Sequence, residues 1–583
     1  MATIRVALAQ LNVIVGDLAG NQAAIARALQ QARAARAALV AVPELAVTVY
    51  PPEDLLLKPQ FVTENLAALR RLVRQTRGLL AVIGFVDRDA PGRLYNAAAV
   101  AANGRLLGVY RKLCLPNYGV FDERRYFTPG HRLCVIEWPR RETGDRRQET
   151  GTVRIGVTIC EDLWEEWPTE ALVRQGRISA LVNISASPYH AGKLQERLAL
   201  IRRQAAAHRI SAAYLNLVGG QDELVFDGGS VVLDARGRLL AQARQCEEDL
   251  LVVDLPVAER TTPARRRAAR HMLPVQRLTV PSWERQPLLA LQPPAVQTPL
   301  EPLAEIYAAL VLGTRDYARK NGFTQAVIGV SGGVDSSLTA AIAVDALGRD
   351  HVTGVSMPSR YSSAGTQRDA EQVARALGMR FVTVPIEPVF LRYLETLAPL
   401  FKGRAADVAE QNVQARIRGT LLMALANKFG WLVLTTGNKS EMATGYCTLY
   451  GDMAGGFAVI KDVPKQMVYQ LSRFRNQRGP GTPMSESVLR RAPTAELAPN
   501  QTDQDTLPPY GVLDRIVEAY VEQNKSARQL VRQGVPSSTV RRVMQMIDRA
   551  EYKRRQGPPG IKITPRAFGR DRRMPITNRY QEG

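Results

Sequence analysis

The sequence predicts an α/β protein with many strands, in two domains, the second a Rossmann-like parallel sheet. Three observations carry this. Short apolar runs alternate with amphipathic helices over residues 1–255. The pattern then breaks over 256–302, where nine prolines and an Arg265-Arg266-Arg267 run leave no sustained periodicity. From residue 301 the alternation resumes around a glycine loop set between an apolar run and a helix.

Composition bounds the rest. A chain of 583 residues, 45% hydrophobic and 23% charged, is expected to form two or more globular domains. No apolar stretch is long enough to span a membrane, and the first residues read as a strand, without a signal peptide's hydrophobic region. The five cysteines, at 114, 134, 160, 246 and 447, form no CxxC pair. Free thiols and a cytoplasmic location are therefore expected. The net charge of +22 favours anionic partners, either nucleic acid or nucleotide phosphates. Roughly half of that excess is expected to be solvated surface. Without an RNP motif, a helix-turn-helix or interleaved basic and aromatic residues, no nucleic-acid partner is expected.

In the first half, strands are expected at 4–11, 39–42, 80–85, 97–101, 154–159, 180–185, 212–217 and 229–234, with helices at 21–36 and 63–76. A four-layer α/β sandwich fits, although periodicity alone reaches only α/β with many strands. Residues 256–300 are expected to form an extended linker, which gives domains at 1–255 and 301–583. In the second half, a helix over 303–321 leads into a strand at 325–330, and later strands are expected at 351–356, 380–384 and 431–436.

The glycine loop, Ser331-Gly332-Gly333-Val334-Asp335-Ser336-Ser337, organises this half. Its glycines let the backbone approach phosphate oxygens, and the free N–H groups of the following helix point at them. Ser331, Ser336 and Ser337 add hydroxyl donors. No Gly-Lys-Ser/Thr follows, so this is not a Walker A loop. It resembles the pyrophosphate loop of the ATP pyrophosphatases (PP-loop enzymes), which split ATP between its α and β phosphorus atoms. The loop competes only with a plain glycine turn, and the full register of the word favours the phosphate reading.

A second centre lies in the first half. Glu44 (Val42-Pro43-Glu44-Leu45) and Cys160 (Thr158-Ile159-Cys160-Glu161-Asp162) follow apolar strands, and Lys112 lies in Tyr110-Arg111-Lys112-Leu113. Strand ends are where open α/β folds place reactive groups. A thiol nucleophile needs a base, and an amide substrate needs its developing oxyanion stabilised. Singly, each residue is more often structural. Together, the words resemble the nitrilase (carbon–nitrogen hydrolase) superfamily. That resemblance implies an α-β-β-α sandwich, with Cys160 as thioester-forming nucleophile, Glu44 as general base and Lys112 stabilising the tetrahedral intermediate. It also offers Glu123 as a second acid. A Cys–His pairing through His190 is the competing arrangement. Tyr118, Ser187 and Lys193 match positions that bind glutamine in the resembling enzymes.

An amidase joined to an adenylating domain reads as a glutamine amidotransferase. Further words resemble the bacterial glutamine-dependent NAD synthetases over nearly the whole chain: Glu410 to Arg418, Leu434 to Glu441, Gly451 to Gly456, Pro493 to Leu497, Gln501 to Asp503 and Tyr552 to Lys562. The resemblance implies a ligase that makes NAD from deamido-NAD, ATP and L-glutamine, with Mg²⁺ as cofactor. It implies ATP contacts at Gly329, Val330, Ser331, Gly332, Gly333, Val334, Asp335, Ser336 and Thr436. Asn412, Glu441 and Lys553 are implied for deamido-NAD, and Asp335 and Glu441 for the metal. The basic tail, with nine Lys and Arg from Lys553 to Arg579, suits dinucleotide phosphates or is a solvated end. Because ammonium is no nucleophile, sheltered transfer of ammonia is expected, in a homo-oligomer. Amidation of another carboxylate, a tRNA-modifying enzyme and a stand-alone amidase are the alternative readings.

Overall fold

The computed structural model describes residues 2–139, 152–257, 272–281 and 296–580. The chain divides into two compact units, Met1–Gln221 with Phe226–Leu300, and Asp222–Val225 with Glu301–Gly583.

Among the described residues the first unit contains fifteen strands in chain order: β1 (Ala2–Gln10), β2 (Leu39–Ala41), β3 (Leu80–Arg88), β4 (Leu94–Ala102), β5 (Arg105–Arg111), β6 (Leu133–Pro139), β7 (Thr152–Ile159), β8 (Ala180–Ser185), β9 (Ser211–Asn216), β10 (Val218–Gln221), β11 (Leu224–Asp227, whose first two residues group with the second unit), β12 (Val231–Leu233), β13 (Leu239–Gln242), β14 (Asp249–Val257) and β15 (Val275–Thr279). One sheet has the order β14-β1-β2-β3-β4-β5, a second β13-β12-β9-β8-β7-β6-β15, and β10 and β11 pair in a two-stranded sheet.

Strand alternation builds the layers, because successive side chains point to opposite faces. From β1 to β4, one set of residues (Val6, Leu8, Leu39, Ala41, Leu80, Val82, Ala98, Val100) joins Ile155, Val157 and Ile159 of the second sheet in one core. The alternate set (Ala7, Val40, Ala81, Ile83, Ala97, Ala99) packs on Ile25 and Leu29 of the helix Leu18–Ala34 and on Leu69 and Leu72 of the helix Pro59–Arg74. Leu198 and Ile201 of the helix Lys193–His208 pack with the second sheet. This is a four-layer α-β-β-α sandwich. Each fully buried Val, Leu or Ile stabilises it by roughly 1.5–3 kcal/mol.

The stretch expected as a linker differs in part. β15 lies within it and pairs in parallel with β6 from Val275–Leu133 to Thr279–Glu137, extending the second sheet. Residues 258–271 and 282–295 of that stretch lie outside the described residues. β14, which ends at Val257, pairs antiparallel with all nine residues of β1.

The second unit carries β16 (Ala326–Gly329), β17 (Val352–Ser356), β18 (Arg380–Thr383), β19 (Leu432–Thr435) and β20 (Phe457–Ala458), all parallel, in the order β18-β17-β16-β19-β20. The order reverses between β16 and β19, and such a switch point opens a crevice at the strands' carboxyl ends. The glycine loop leaves β16 and Thr436 leaves β19, so both face that crevice. No described helix is long and apolar enough to cross a membrane.

Candidate active sites

In the first unit, three strand ends converge. Glu44 follows β2, Lys112 follows β5 and Cys160 follows β7; all three residues are buried. The Lys112 ammonium donates to Glu44 Oε1 and to Glu123 Oε1, each at 2.7 Å. Asn96 Nδ2 also donates to Glu44 Oε1 at 2.7 Å, and Tyr50 OH donates to Glu123 at 3.1 Å. Glu44 Oε2 accepts the Ala186 N–H at 2.8 Å, which ties this carboxylate to the end of β8 in the opposite sheet. Burial by itself would pull the lysine down, but the charges of Glu123 and Glu44 hold it well above its ordinary value. Burial pushes Glu123 up to about 7, and Glu44 adds to this against the pull of Lys112.

Cys160 sits at the turn from β7 into the short helix Glu161–Trp164, with φ +43°. A non-glycine residue in that region is strained, and its surroundings must hold it there. Burial raises its thiol well above the ordinary value; Glu44 adds to this and Lys112 opposes it. The resting thiol is therefore protonated at neutral pH and needs a base to become nucleophilic. Glu44 is the buried carboxylate whose charge bears most strongly on it. His190 instead places Nδ1 3.1 Å from the Ala191 carbonyl and Nε2 3.7 Å from Glu196.

The three expected glutamine positions flank this centre. Tyr118 OH donates to both oxygens of Glu161, the residue after Cys160, at 3.1 Å. The Ser187 N–H donates to Asn216 Oδ1 at 2.8 Å. Lys193 opens the helix Lys193–His208, pairs with Glu196 at 3.0 Å and lies 4.0 Å from the Trp164 ring centroid.

In the second unit, Gly332 has φ +85°, and a Cβ there would lie 2.1 Å from the Thr366 carbonyl oxygen, so only glycine fits. Ser336 Oγ accepts the Ser331 N–H at 3.2 Å, and both Ser336 and Ser337 donate to the Gly333 carbonyl, at 3.1 and 2.8 Å. These bonds tie the loop to the first turn of the helix Val334–Leu347, whose N-terminus is suited to anions.

Asp335 and Glu441 do come together, around a residue the sequence reading missed. The Lys465 ammonium donates to Asp335 and lies 3.8 Å from Glu441. Asn438 Nδ2 donates to Asp335 at 2.9 Å and forms a capping box with Glu441. Burial and the charge of Asp335 push Glu441 up to about 8, against Lys465. Among the described residues no group of three or more His, Cys, Asp or Glu could hold a metal ion. Two carboxylates facing one ammonium still fit Mg²⁺, which keeps waters and takes phosphate oxygens rather than a full protein cage.

Asn412 and Lys553 reach one loop: Thr448 donates to Asn412 at 2.7 Å, and Lys553 donates to the Gly445 and Cys447 carbonyls at 2.7 and 2.8 Å. Part of the basic tail's charge is paired internally, whereas Arg573 and Arg579 are exposed. Arg554 and Arg555 pair with Glu551, Lys562 with Asp571 and Arg572 with Asp548.

Sequence signals existed for some of the missed residues. Lys465 opens the helix Lys465–Arg478, where a cation opposes the helix dipole and needs an anionic partner. Asn96 is a polar residue within the alanine-rich β4.

Comparison with known proteins agrees with this organisation. Residues 5–265 match the carbon-nitrogen hydrolase family model and residues 306–557 the NAD synthase model. The chain is 47% identical to the glutamine-dependent NAD(+) synthetase of Thermotoga maritima over 590 residues, covering 100% of both. It is 43% identical to that of Aquifex aeolicus, covering 99% of this chain and 100% of the relative. The solved glutamine-dependent NAD+ synthetase of Acinetobacter baumannii, in complex with ADP, superposes with a TM-score of 0.73 at 38% identity, covering 100% of both chains.

Proposed function

The chain belongs to the glutamine-dependent NAD(+) synthetases, and from that premise we propose that it joins two reactions, glutamine hydrolysis at Cys160 and adenylation of deamido-NAD at the glycine loop. In the first, Glu44 takes the Cys160 proton and the sulfur attacks the amide carbon of glutamine. Lys112 stabilises the oxyanion, Glu44 passes the proton on to the leaving nitrogen, ammonia leaves, and water then releases glutamate from the thioester and returns the thiol. The Glu44–Lys112–Glu123 arrangement supports this, since the ammonium is held charged by two carboxylates in a buried site. Tyr118, Ser187 and Lys193 are proposed to hold the amino-acid end of glutamine, with Lys193 facing its carboxylate.

In the second reaction the nicotinate carboxylate of deamido-NAD attacks the α-phosphorus of ATP and pyrophosphate leaves. Ammonia then attacks the acyl carbon, AMP leaves, and NAD forms. The loop from Gly329 to Ser336 and Thr436 are proposed to contact ATP. The ADP bound in the Acinetobacter baumannii relative is in keeping with a nucleotide site. Asn412, Glu441 and Lys553 are proposed for deamido-NAD. Asp335 and Glu441 would hold Mg²⁺, which neutralises phosphate charge when bound. Lys465 opposes the excess charge of the same two carboxylates.

The observation that carries this reading is the presence, in one chain, of a buried Glu–Lys–Cys centre and a PP-loop at a sheet's switch point. NAD formation from deamido-NAD, ATP and Mg²⁺, with glutamine or an ammonium salt, tests it. Cys160→Ala is expected to lose glutamine-driven synthesis and keep ammonia-driven synthesis. Retention of the glutamine-driven reaction would remove Cys160 from its role. Failure of the wild type with both nitrogen sources would remove deamido-NAD as acceptor.

A further inference from the structure

We propose that Asp162 is the positioning residue that holds Lys112 and Cys160 in register for attack on glutamine; this rests on the roles given above to those two residues. The Asp162 carboxylate is fully buried and receives four hydrogen bonds from two separate segments. Oδ1 accepts the N–H of Leu113 at 3.0 Å and of Cys114 at 2.8 Å, the two residues after Lys112. Oδ2 accepts the Tyr110 hydroxyl at 2.7 Å and the Ile159 N–H at 3.0 Å. Tyr110 lies two residues before Lys112, and Ile159 directly precedes Cys160.

One carboxylate thus brackets the lysine from both sides in sequence and is tied to the residue beside the nucleophile. The two segments belong to different sheets: Tyr110 lies in β5 and Ile159 in β7. Apolar packing between sheets is non-directional and fixes their spacing more firmly than their sliding. Directional bonds from one anion to three N–H groups and a hydroxyl fix the sliding. The strained Cys160 backbone needs such over-determination, and the Ile159 bond supplies it one residue away. Asp162 itself is not placed to touch glutamine, because its four bonds all run to protein donors.

The chemistry of the amide predicts where Asp162→Asn fails. The Oδ1 position receives two backbone N–H groups that cannot reverse, so the amide oxygen takes that side. The NH2 then takes the Oδ2 side, where the Tyr110 hydroxyl can turn to accept. The Ile159 N–H cannot turn and is left facing a donor. The nucleophile turn therefore loosens while the lysine side stays bonded.

The test uses the full chain and reads NAD formation with glutamine or with an ammonium salt, together with the pH profile of iodoacetamide alkylation on the peptide carrying Cys160. For Asp162→Asn we expect kcat with glutamine to fall about 100-fold, KM for glutamine to stay within about threefold, and ammonia-driven synthesis to be unchanged. The alkylation profile is expected to shift in pH, since thiol acidity depends on where Lys112 and Glu44 stand. An unchanged kcat and an unchanged alkylation profile in a variant that still uses ammonia would overturn the proposal. If Asp162→Asn loses both reactions, Tyr110→Phe decides. A fall of about threefold or more with glutamine alone supports the brace; no fall, or an equal fall with both nitrogen sources, overturns it. Cys160→Ala in the same assay separates this outcome from a failure of the Cys160 assignment itself.

Discussion

Lys465 donates its ammonium to Asp335 across 130 residues of chain, and the same group lies 3.8 Å from Glu441. Burial alone would lower Lys465, but Asp335 and Glu441 together hold it above its ordinary value. One lysine thereby links the helix after the glycine loop to the helix after β19, on either side of the crevice where the strand order reverses.

Lys465→Met is expected to abolish NAD synthesis with either nitrogen source, in contrast to Cys160→Ala. Removing one partner of a buried ion pair leaves an uncompensated charge, typically a cost of about 3–5 kcal/mol. A lowered melting temperature should therefore accompany the lost activity. Turnover with ammonium salt is the deciding measurement, because normal ammonia-driven synthesis would separate Lys465 from the adenylation site.

Glu441 provides a pH test. Its carboxyl is pushed from the ordinary 4.5 up to about 8, first by burial and then by Asp335. Between those values the folded chain keeps a proton that the unfolded chain has released. Its contribution to stability is thus complete below about pH 4.5 and declines as pH rises towards about 8. Glu441→Gln cannot ionise and escapes this loss. Its melting temperature relative to wild type should rise steadily from pH 5 to pH 8 in ligand-free protein. A constant difference across that range would contradict the assignment.

Gly332→Ala should lose ATP binding and both routes to NAD. The new Cβ would meet the Thr366 carbonyl oxygen at 2.1 Å, and the backbone at φ +85° disfavours any side chain. Since the loop cannot keep its shape, ATP should no longer raise the melting temperature of the variant, whereas it should raise that of the wild type.

Lys112→Met should silence the glutamine-driven reaction by about 100-fold or more, because it removes the cation proposed to face the developing oxyanion. It also leaves Glu44 and Glu123 unpaired in a buried site, so a loss of about 3–5 kcal/mol in stability is expected. Lys112→Arg should restore part of the stability and little of the activity, since a longer, planar guanidinium cannot stand where the compact ammonium makes its two 2.7 Å contacts. Thermal melts and glutamine-driven turnover of the two variants separate these effects.

Local chemistry made some features legible before any fold was known. The glycine loop is a contiguous word whose meaning rests on Gly332 needing a left-handed backbone. Glu44 and Cys160 could be placed after strands because apolar runs end just before them, and alternation along β1 to β4 carried the layered fold. The edge elements were less legible. β5 has mostly exposed or half-buried side chains and ends in arginines, so it lacks the apolar run that marks β3. β15 is hidden in proline-rich sequence, and only its pairing with β6 makes it a strand.

By itself, then, the sequence determined the alternation of apolar strands with helices, the glycine loop and the placing of Glu44 and Cys160 just after strands, since each depends on residues within a few positions of one another. The tertiary structure decided the partnerships. Lys112 became a cation held between Glu44 and Glu123, Lys465 a partner of Asp335, and Asp162 a bridge from Tyr110, Leu113 and Cys114 to Ile159. Arg554 and Arg572 of the tail turned inward to Glu551 and Asp548. The charge state of a buried group depends on which distant side chains desolvate and face it, and that arrangement exists only once the sheets have packed.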